Sequence, residues 1–248
     1  MAPQTTTKRF PGRTAPQAAA GASPSTVLSL AVVIPALNEE ARIDAAVASA
    51  WAAGAYEVVV ADGGSTDGTR ERAAAVARVI ASPQGRAAQM NSGAAATKSD
   101  VVLFLHADSR LPRDAAALVR SVLADPLVRA GAFRMRFDAP GFYFRFITAL
   151  SHARAWWWGI TLGDQAIFAR RELFRSLDGF RDLPILEDLD FADRARRAAR
   201  FRVLKAEVLT SARRWELRGR LRTSVSNWAI LFLYKLGMRP EALAGLYR

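Results

Sequence analysis

Three apolar runs that each stop abruptly on polar side chains constrain this chain more than any other feature. Val101-Val102-Leu103-Phe104-Leu105 ends at His106-Ala107-Asp108-Ser109, and Val32-Val33-Ile34-Pro35 runs into Asn38-Glu39-Glu40. Val58-Val59-Val60-Ala61 runs into Asp62-Gly63-Gly64-Ser65-Thr66-Asp67-Gly68-Thr69. Short, continuous apolar runs rich in β-branched residues read as strands buried on both faces. One Asp after a strand means no more than the start of a loop. Three strand ends carrying polar groups toward one edge mean more, because open parallel sheets collect ligands just beyond the carboxyl ends of their strands.

The segments between these runs complete the pattern. Strands at Val27 to Ile34 and Tyr56 to Ala61 are separated by a helix that Asn38 should cap, with Glu39 and Glu40 favouring the positive end of the helix dipole. Thr66 to Thr69 opens the next helix, Val79-Ile80 is a short strand, and Arg86 to Ala96 is helical. After the Val101 strand, a helix starts at Pro112 and ends before Pro126. Strand and helix in alternation predict an α/β fold with a doubly wound, mostly parallel sheet. Beyond Gly131 the pattern is less regular, with strands expected at Phe133 to Phe137, Ala166 to Ala169 and Arg202 to Glu207. The segment Phe142 to Trp158 is dense in aromatics, and a basic helix follows Glu187 and ends near Arg200. Two helices close the chain, Gly219 to Leu236 and Pro240 to Tyr247, separated by a Gly stop and a Pro restart.

Residues 1–26, rich in Ala, Thr, Pro, Gly and Ser, are expected to form a disordered tail ahead of a single domain at 27–248. That domain is expected to divide into a first half (27–130), a second half (131–218) and C-terminal helices (219–248). With no cysteine, disulfides and thiolate metal sites are excluded. No segment has the length and apolarity of a secretory signal or a spanning helix, so a cytoplasmic protein is expected, soluble or peripheral on the inner face of the membrane. The net charge of +12 is unevenly placed: residues 1–130 carry 13 basic and 11 acidic side chains, residues 131–248 carry 22 and 12. That surplus favours polyanions, anionic lipid head groups or a phosphate-bearing substrate.

The three glycines of Asp62 to Thr69 permit close approach of backbone to a ligand, yet the loop is neither the G-x-G-x-x-G of dinucleotide enzymes nor a Walker loop. Taken with Val33 to Glu39 and His106-Ala107-Asp108, it resembles the motifs of family 2 glycosyltransferases. These share a V-x-I-P-x-x-N-E strand end, a D-x-x-S-x-D-x-T loop and a later D-x-D or variant. Farther on the family has an E-D pair, here Glu187-Asp188, and often an R-W, here Arg214-Trp215. The closest likeness is to short, single-domain bacterial members with an H-A-D variant and a G-D-Q, here Gly163-Asp164-Gln165.

The resemblance implies the GT-A fold, a nucleoside diphosphate sugar (UDP- or GDP-linked) as donor and a hydroxyl or carboxylate acceptor. Substrate contacts carry over to Pro35, Asn38, Glu39, Asp62, Gly63, Ser65, Asp67, Arg86, Asn91, Ala107, Asp164, Gln165, Arg213, Arg214 and Trp215. Among them Glu39 and Asp62 hold nucleobase and ribose, Arg86 meets the nucleotide, and Arg214 or Arg213 lies near the diphosphate. The leaving diphosphate calls for a divalent cation or fixed positive charge. Asp108, a hard carboxylate at a strand end, suits Mg²⁺ or Mn²⁺. His106, at the place of the first Asp of D-x-D, reads equally as a second metal ligand or as a buried strand-end histidine. The attacking acceptor must lose a proton. The resemblance gives that role to Asp188, with Glu187 orienting it or touching the acceptor, and a single displacement inverts the anomeric centre. Ser211 replaces the Gln of the Q-x-x-R-W found in processive synthases, so transfer of one sugar is expected. His152, among aromatics, reads as structural.

In the C-terminal helix Leu221, Val225, Trp228 and Phe232 share one face, as a helix packed on a domain requires. Arg218, Arg220 and Arg222 stand at one end, Lys235 and Arg239 at the other, and Trp156-Trp157-Trp158 and Phe142-Tyr143-Phe144 lie near Arg145 and Arg154. Aromatic and basic residues together also suit an anionic membrane surface. Two readings therefore stand side by side: a helix buried between sheet and aromatic segment, and an apolar mouth for a lipid acceptor such as an isoprenoid or carotenoid. Two other functions compete with glycosyl transfer. A basic nucleic-acid-binding module would show an RNP, KH, helix-turn-helix or zinc pattern, and none is present, so no nucleic-acid partner is expected. A nucleotidyltransferase would carry a Gly-rich, basic loop after its first strand, where Pro35-Ala36-Leu37-Asn38-Glu39 stands.

Overall fold

The computed structural model describes residues 27–157 and 159–247, with side chains as far as 155 and from 159 to 246. The expected tail at 1–26 and the three tryptophan side chains at 156–158 fall outside it.

The Val-rich runs form the parallel core of an eight-stranded sheet. β1 (Leu30–Ala36) pairs in parallel with β2 (Glu57–Asp62) on one side and β4 (Val101–Phe104) on the other. β3 (Arg78–Ala81) extends this half at the edge. Side chains alternate across β1 and commit it to two apolar layers at once. Leu30, Val32 and Ile34 pack beneath α1 (Ile43–Ala52) and α4 (Ala115–Leu123), while Val33 packs with Val102, Met90 and Ala94 beneath α3 (Arg86–Ala96). Gly93 lets α3 sit close on the sheet, since a methyl group there would lie 2.2 Å from Val33 Cγ1. The short α2 (Thr69–Ala74) links β2 and β3.

The second half mixes directions. Its strands are β5 (Ser109–Arg110), β6 (Val128–Phe137), β7 (Phe168–Arg170) and β8 (Arg200–Thr210), and the sheet order is β3-β2-β1-β4-β7-β6-β8-β5. β7 runs antiparallel to both β4 and β6, whereas β6 and β8 are parallel. The predicted strands at 133–137 and 202–207 are thus longer than their apolar alternation shows, because β6 and β8 pair along nearly their whole length.

Four further helices follow α4 before the C-terminus: α5 (Phe142–Trp157), α6 (Arg171–Ser176), α7 (Glu187–Ala198) and α8 (Arg213–Arg218). The last two are α9 (Arg220–Lys235) and α10 (Pro240–Tyr247). Among the described residues no helix is long and apolar enough to cross a membrane.

Two expectations are corrected. Asn38 does not cap the first helix, which begins at Ile43; its own φ is 53°, and its Oδ1 accepts the Thr66 N–H at 2.9 Å from the neighbouring loop. The face of α9 chosen from periodicity is not the buried one: Thr223, Ile230 and Leu231 are buried, while Leu221, Val225, Trp228 and Phe232 are exposed.

Candidate functional site

The carboxyl ends of β1 and β4 open on one cavity of about 390 Å³. Its rim is set by two loops that hold each other. Asn38 N–H donates to Ser65 Oγ at 3.0 Å, Glu39 N–H to Thr69 Oγ1 at 2.8 Å, and Glu40 N–H to Asp67 Oδ2 at 3.2 Å. Beneath them Gln89, on α3, donates from Nε2 to Ala36 O at 2.7 Å and Ala61 O at 3.0 Å, stapling the last residues of two strands. Asp62 is buried, and its carboxylate accepts the N–H groups of Gly64 and Ser65, with Arg70 at 3.7 Å. Glu39 lines the cavity between Arg213 at 3.1 Å and Arg42 at 3.5 Å.

The opposite wall is built by α7. Glu187, Asp188 and Asp190 occupy its first turn, where the helix dipole favours acids. Leu186, one residue before, is held at φ 64°, and Ala166 after the Gly163-Asp164-Gln165 turn at φ 44°. With Asn38, three of the four left-handed non-glycine residues among those described therefore border this site, the kind of strain that functional sites store. Asp188 Oδ2 accepts the Gly163 N–H and Oδ1 the Leu189 N–H. A side chain at Gly163 would force its neighbours to shift, because a methyl group would lie 2.6 Å from His106 Nε2 and 2.9 Å from Asp188 Oδ2. Glu187 is buried beside Arg86, whose Nε is 3.1 Å from Glu187 Oε1.

Three carboxyls and one imidazole at the site are displaced from their ordinary behaviour, each mainly by burial. The Glu187 carboxyl is raised to about 7 by loss of water, Arg86 pulling the other way and Asp188 adding to the rise. Asp164 is raised to about 6 by burial, partly offset by Arg154. Asp108 is raised as well, against the pull of Ser109, Arg213 and Arg42. His106 is lowered to about 4 by burial and by Arg86, against the attraction of Asp188. Near neutral pH the site thus holds an uncharged imidazole among carboxyls short of solvent. Its Nε2 and Asp164 Oδ1 are buried without a hydrogen-bond partner among the described residues.

Such a site favours a cation, and the donor set fits a hard one. No group of three or more His, Asp or Glu converges among the described residues, so the protein can supply little more than Asp108. Mg²⁺ and Mn²⁺ accept that arrangement, keeping several waters and taking the remaining oxygens from phosphate. His106 and Asp108 both line the cavity; the charges that act on His106 are Arg86 and Asp188, those on Asp108 are Arg213 and Arg42, and Asp164 is acted on by Asp108, Asp188 and Arg86.

The remaining candidates divide. Pro35, Ala107, Asp164, Arg214 and Trp215 line the cavity with Glu39, Arg86, His106, Asp108 and Asp188. Asn38, Gly63, Ser65 and Asp67 are spent on the loop clasp, Gly63 donating its N–H to Ala36 O. Asn91 clamps the Phe180 backbone through its O and N–H, and Gln165, fully buried, joins Leu162 N–H to Phe133 O; neither lines the cavity. His152 is structural, with Nε2 2.9 Å from Met135 O. Arg154, which flanks the aromatic segment in the sequence, is buried and faces Asp164 and Asp188. Gln89 and Asn227 line the cavity without any motif announcing them, and Leu162, Ile185, Leu186, Ile230 and Leu231 make part of its wall apolar.

The fold and site together define an α/β protein with its ligand cavity at the carboxyl ends of a parallel half-sheet, of GT-A type. The family model described as glycosyl transferase family 2 matches residues 31–179, and the chain belongs to that family. Among solved structures it is similar to mannosyltransferase PcManGT from Pyrobaculum calidifontis in complex with GDP-Man and Mn2+. There the TM-score is 0.64 at 22% identity, over 90% of this chain and 69% of that one. It is also similar to S. aureus TarS 1-349 in complex with UDP-GlcNAc (TM-score 0.58, 20% identity, 74% of this chain and 58% of that one). A third is glucosyl-3-phosphoglycerate synthase from Mycobacterium tuberculosis with Mn2+ and UDP-Glc (TM-score 0.54, 26% identity, 73% and 70%). The chain thus spans about three fifths of the TarS fragment. No curated protein matches it in sequence.

Proposed function

We propose that this site transfers one sugar from a nucleoside diphosphate sugar, UDP- or GDP-linked, to a hydroxyl or carboxylate acceptor, with inversion. The observation that carries the reading is the pairing of two carboxylates across one cavity: Asp108 at the end of β4, and Asp188 at the start of α7. Glu39 would meet the nucleoside at the cavity wall, with Asp62 buried behind it and holding the loop, Arg86 and Arg214, with Arg213 behind Glu39, would supply positive charge for the diphosphate, and Asp108 would hold Mg²⁺ or Mn²⁺. When bound, that ion neutralises charge gathering on the departing diphosphate.

Asp188 accepts the proton of the acceptor hydroxyl while the acceptor oxygen bonds to the anomeric carbon. The bond from that carbon to the diphosphate oxygen breaks with its electron pair leaving on the nucleoside diphosphate. Gly163 N–H and Leu189 N–H orient the Asp188 carboxylate. A carboxylate acceptor would attack without that transfer. The wall of Leu162, Ile185, Leu186, Ile230 and Leu231 suits an acceptor with an apolar chain, such as an isoprenoid or carotenoid lipid.

The test is incubation with UDP- and GDP-sugars, Mn²⁺ and a panel of lipid and water-soluble acceptors, followed by nucleotide release and by NMR of the product anomer. Release coupled to an inverted product supports the reading; a retained anomer, or release unaffected by Asp188→Asn, opposes it.

A further inference from the structure

We infer that α9 docks the protein on an anionic bilayer through Leu221, Val225, Trp228, Phe232 and Leu236. This deepens the lipid-acceptor reading above and rests on it for the acceptor, though not for the docking itself. The five residues recur at steps of four, three, four and four, which at about 100° per residue places them within an arc of about 80°. They are 37–74% exposed, whereas Thr223, Ile230 and Leu231 of the same helix are buried and Asn227 lines the cavity. Single exposed apolar residues are ordinary; five in a row along one helix face mark a contact surface.

Charge selects the occupant. Residues 215–239, beyond the two arginines of the cavity, carry five basic side chains and one acidic. Arg218, Arg220 and Arg222 are exposed at the start of the stripe, Lys235 and Arg239 at its end. A second copy of the chain packed on this face would bring basic ends together in either orientation, which opposes self-association. Anionic head groups neutralise both ends, each basic residue near such a surface adding attraction. At 16 residues α9 is too short to span a bilayer but has the form of a helix lying in its interface. Its first turns are joined to α5, where Tyr143 Oη lies 2.5 Å from Arg220 O and 2.7 Å from Ser224 Oγ. On α5 the exposed residues Phe142, Arg145, Phe146 and Ala149 repeat the combination of aromatic and basic side chains at steps of three, one and three. The cavity wall contributed by Asn227, Ile230 and Leu231 belongs to the inner side of the helix whose outer side meets the lipid.

The experiment is flotation of the full chain with vesicles of phosphatidylcholine alone and of phosphatidylcholine mixed with phosphatidylglycerol, at low and raised salt. Binding to the mixed vesicles only, weakening with salt, is expected. The pair Leu221→Glu and Phe232→Glu should abolish it, and Arg222→Gln and Arg239→Gln should each weaken it about fivefold. Stabilisation by nucleoside diphosphate should be unchanged in all three variants, showing that the fold and cavity are intact. Absence of vesicle binding at low salt overturns the inference. So does equal binding by the Leu221→Glu, Phe232→Glu variant, or a dimer by light scattering that this variant dissociates. Should no nucleotide bind any form, the transferase reading fails, and flotation still decides the docking.

Discussion

Replacing Glu187 by Gln should change the pH dependence of stability in a direction fixed by the burial of that carboxyl. In the folded protein it is raised to about 7 from an ordinary 4.5, so the folded state holds its proton more tightly than the unfolded chain. A raised carboxyl contributes stability fully present below the unfolded value and lost as pH rises through the folded one. At about 1.4 kcal/mol for each tenfold in proton affinity, the difference between about 7 and 4.5 sets a ceiling of about 3 kcal/mol. That value already includes the pull of Arg86, and at pH 5 the unfolded carboxyl is already partly ionised, so a measured effect of about 1–3 kcal/mol is expected between pH 5 and pH 8. Gln is nearly isosteric and does not titrate in this range. Urea unfolding of wild type and Glu187→Gln at pH 5 and pH 8 should therefore show the variant gaining on wild type by that amount at the higher pH. A difference that stays constant between the two pH values, or grows in favour of wild type, would refute the argument.

Asp188→Asn should lower turnover by about 10²–10⁴-fold while leaving nucleotide binding in place, checked by steady-state kinetics beside calorimetry. Gly163→Ala should reduce turnover with a smaller loss of stability than of activity, because the added methyl group meets His106 and Asp188, not the core; kinetics and thermal unfolding together separate the two. Gln89→Leu should destabilise the fold by about 1–3 kcal/mol for each carbonyl left without its donor, at the ends of β1 and β2, as measured in urea.

The parallel half-sheet and its ligand edge were legible because the Val-rich runs have no other stable place than between two apolar layers, and because Glu39, Asp62 and Asp108 interrupt them at strand ends. Asp188 was legible through the Glu187-Asp188 pair at a helix start. What escaped depends on contacts distant in sequence. Asn38 reads as a helix cap from its neighbours, yet the Thr66 N–H 28 residues away takes its side chain. Gln89 and Asn227 are amides within helices, without periodic or motif signal, and only the tertiary fold turns them toward the cavity. Periodicity identified the stripe of α9 correctly and its direction wrongly. The helix is apolar on both sides over its last turns, and period alone does not say which side the domain covers.

Thermal unfolding in the presence of UDP, GDP and their sugars, with and without Mn²⁺, tests the central claim most directly. A ligand of the folded state present at about a hundredfold excess over its dissociation constant stabilises by about 2.7 kcal/mol. At least one nucleoside diphosphate or its sugar should raise the midpoint, more strongly with Mn²⁺, and the Mn²⁺ increment should vanish in Asp108→Asn while that variant remains folded. No stabilisation by any of them, or an Mn²⁺ increment that survives Asp108→Asn, would contradict the account.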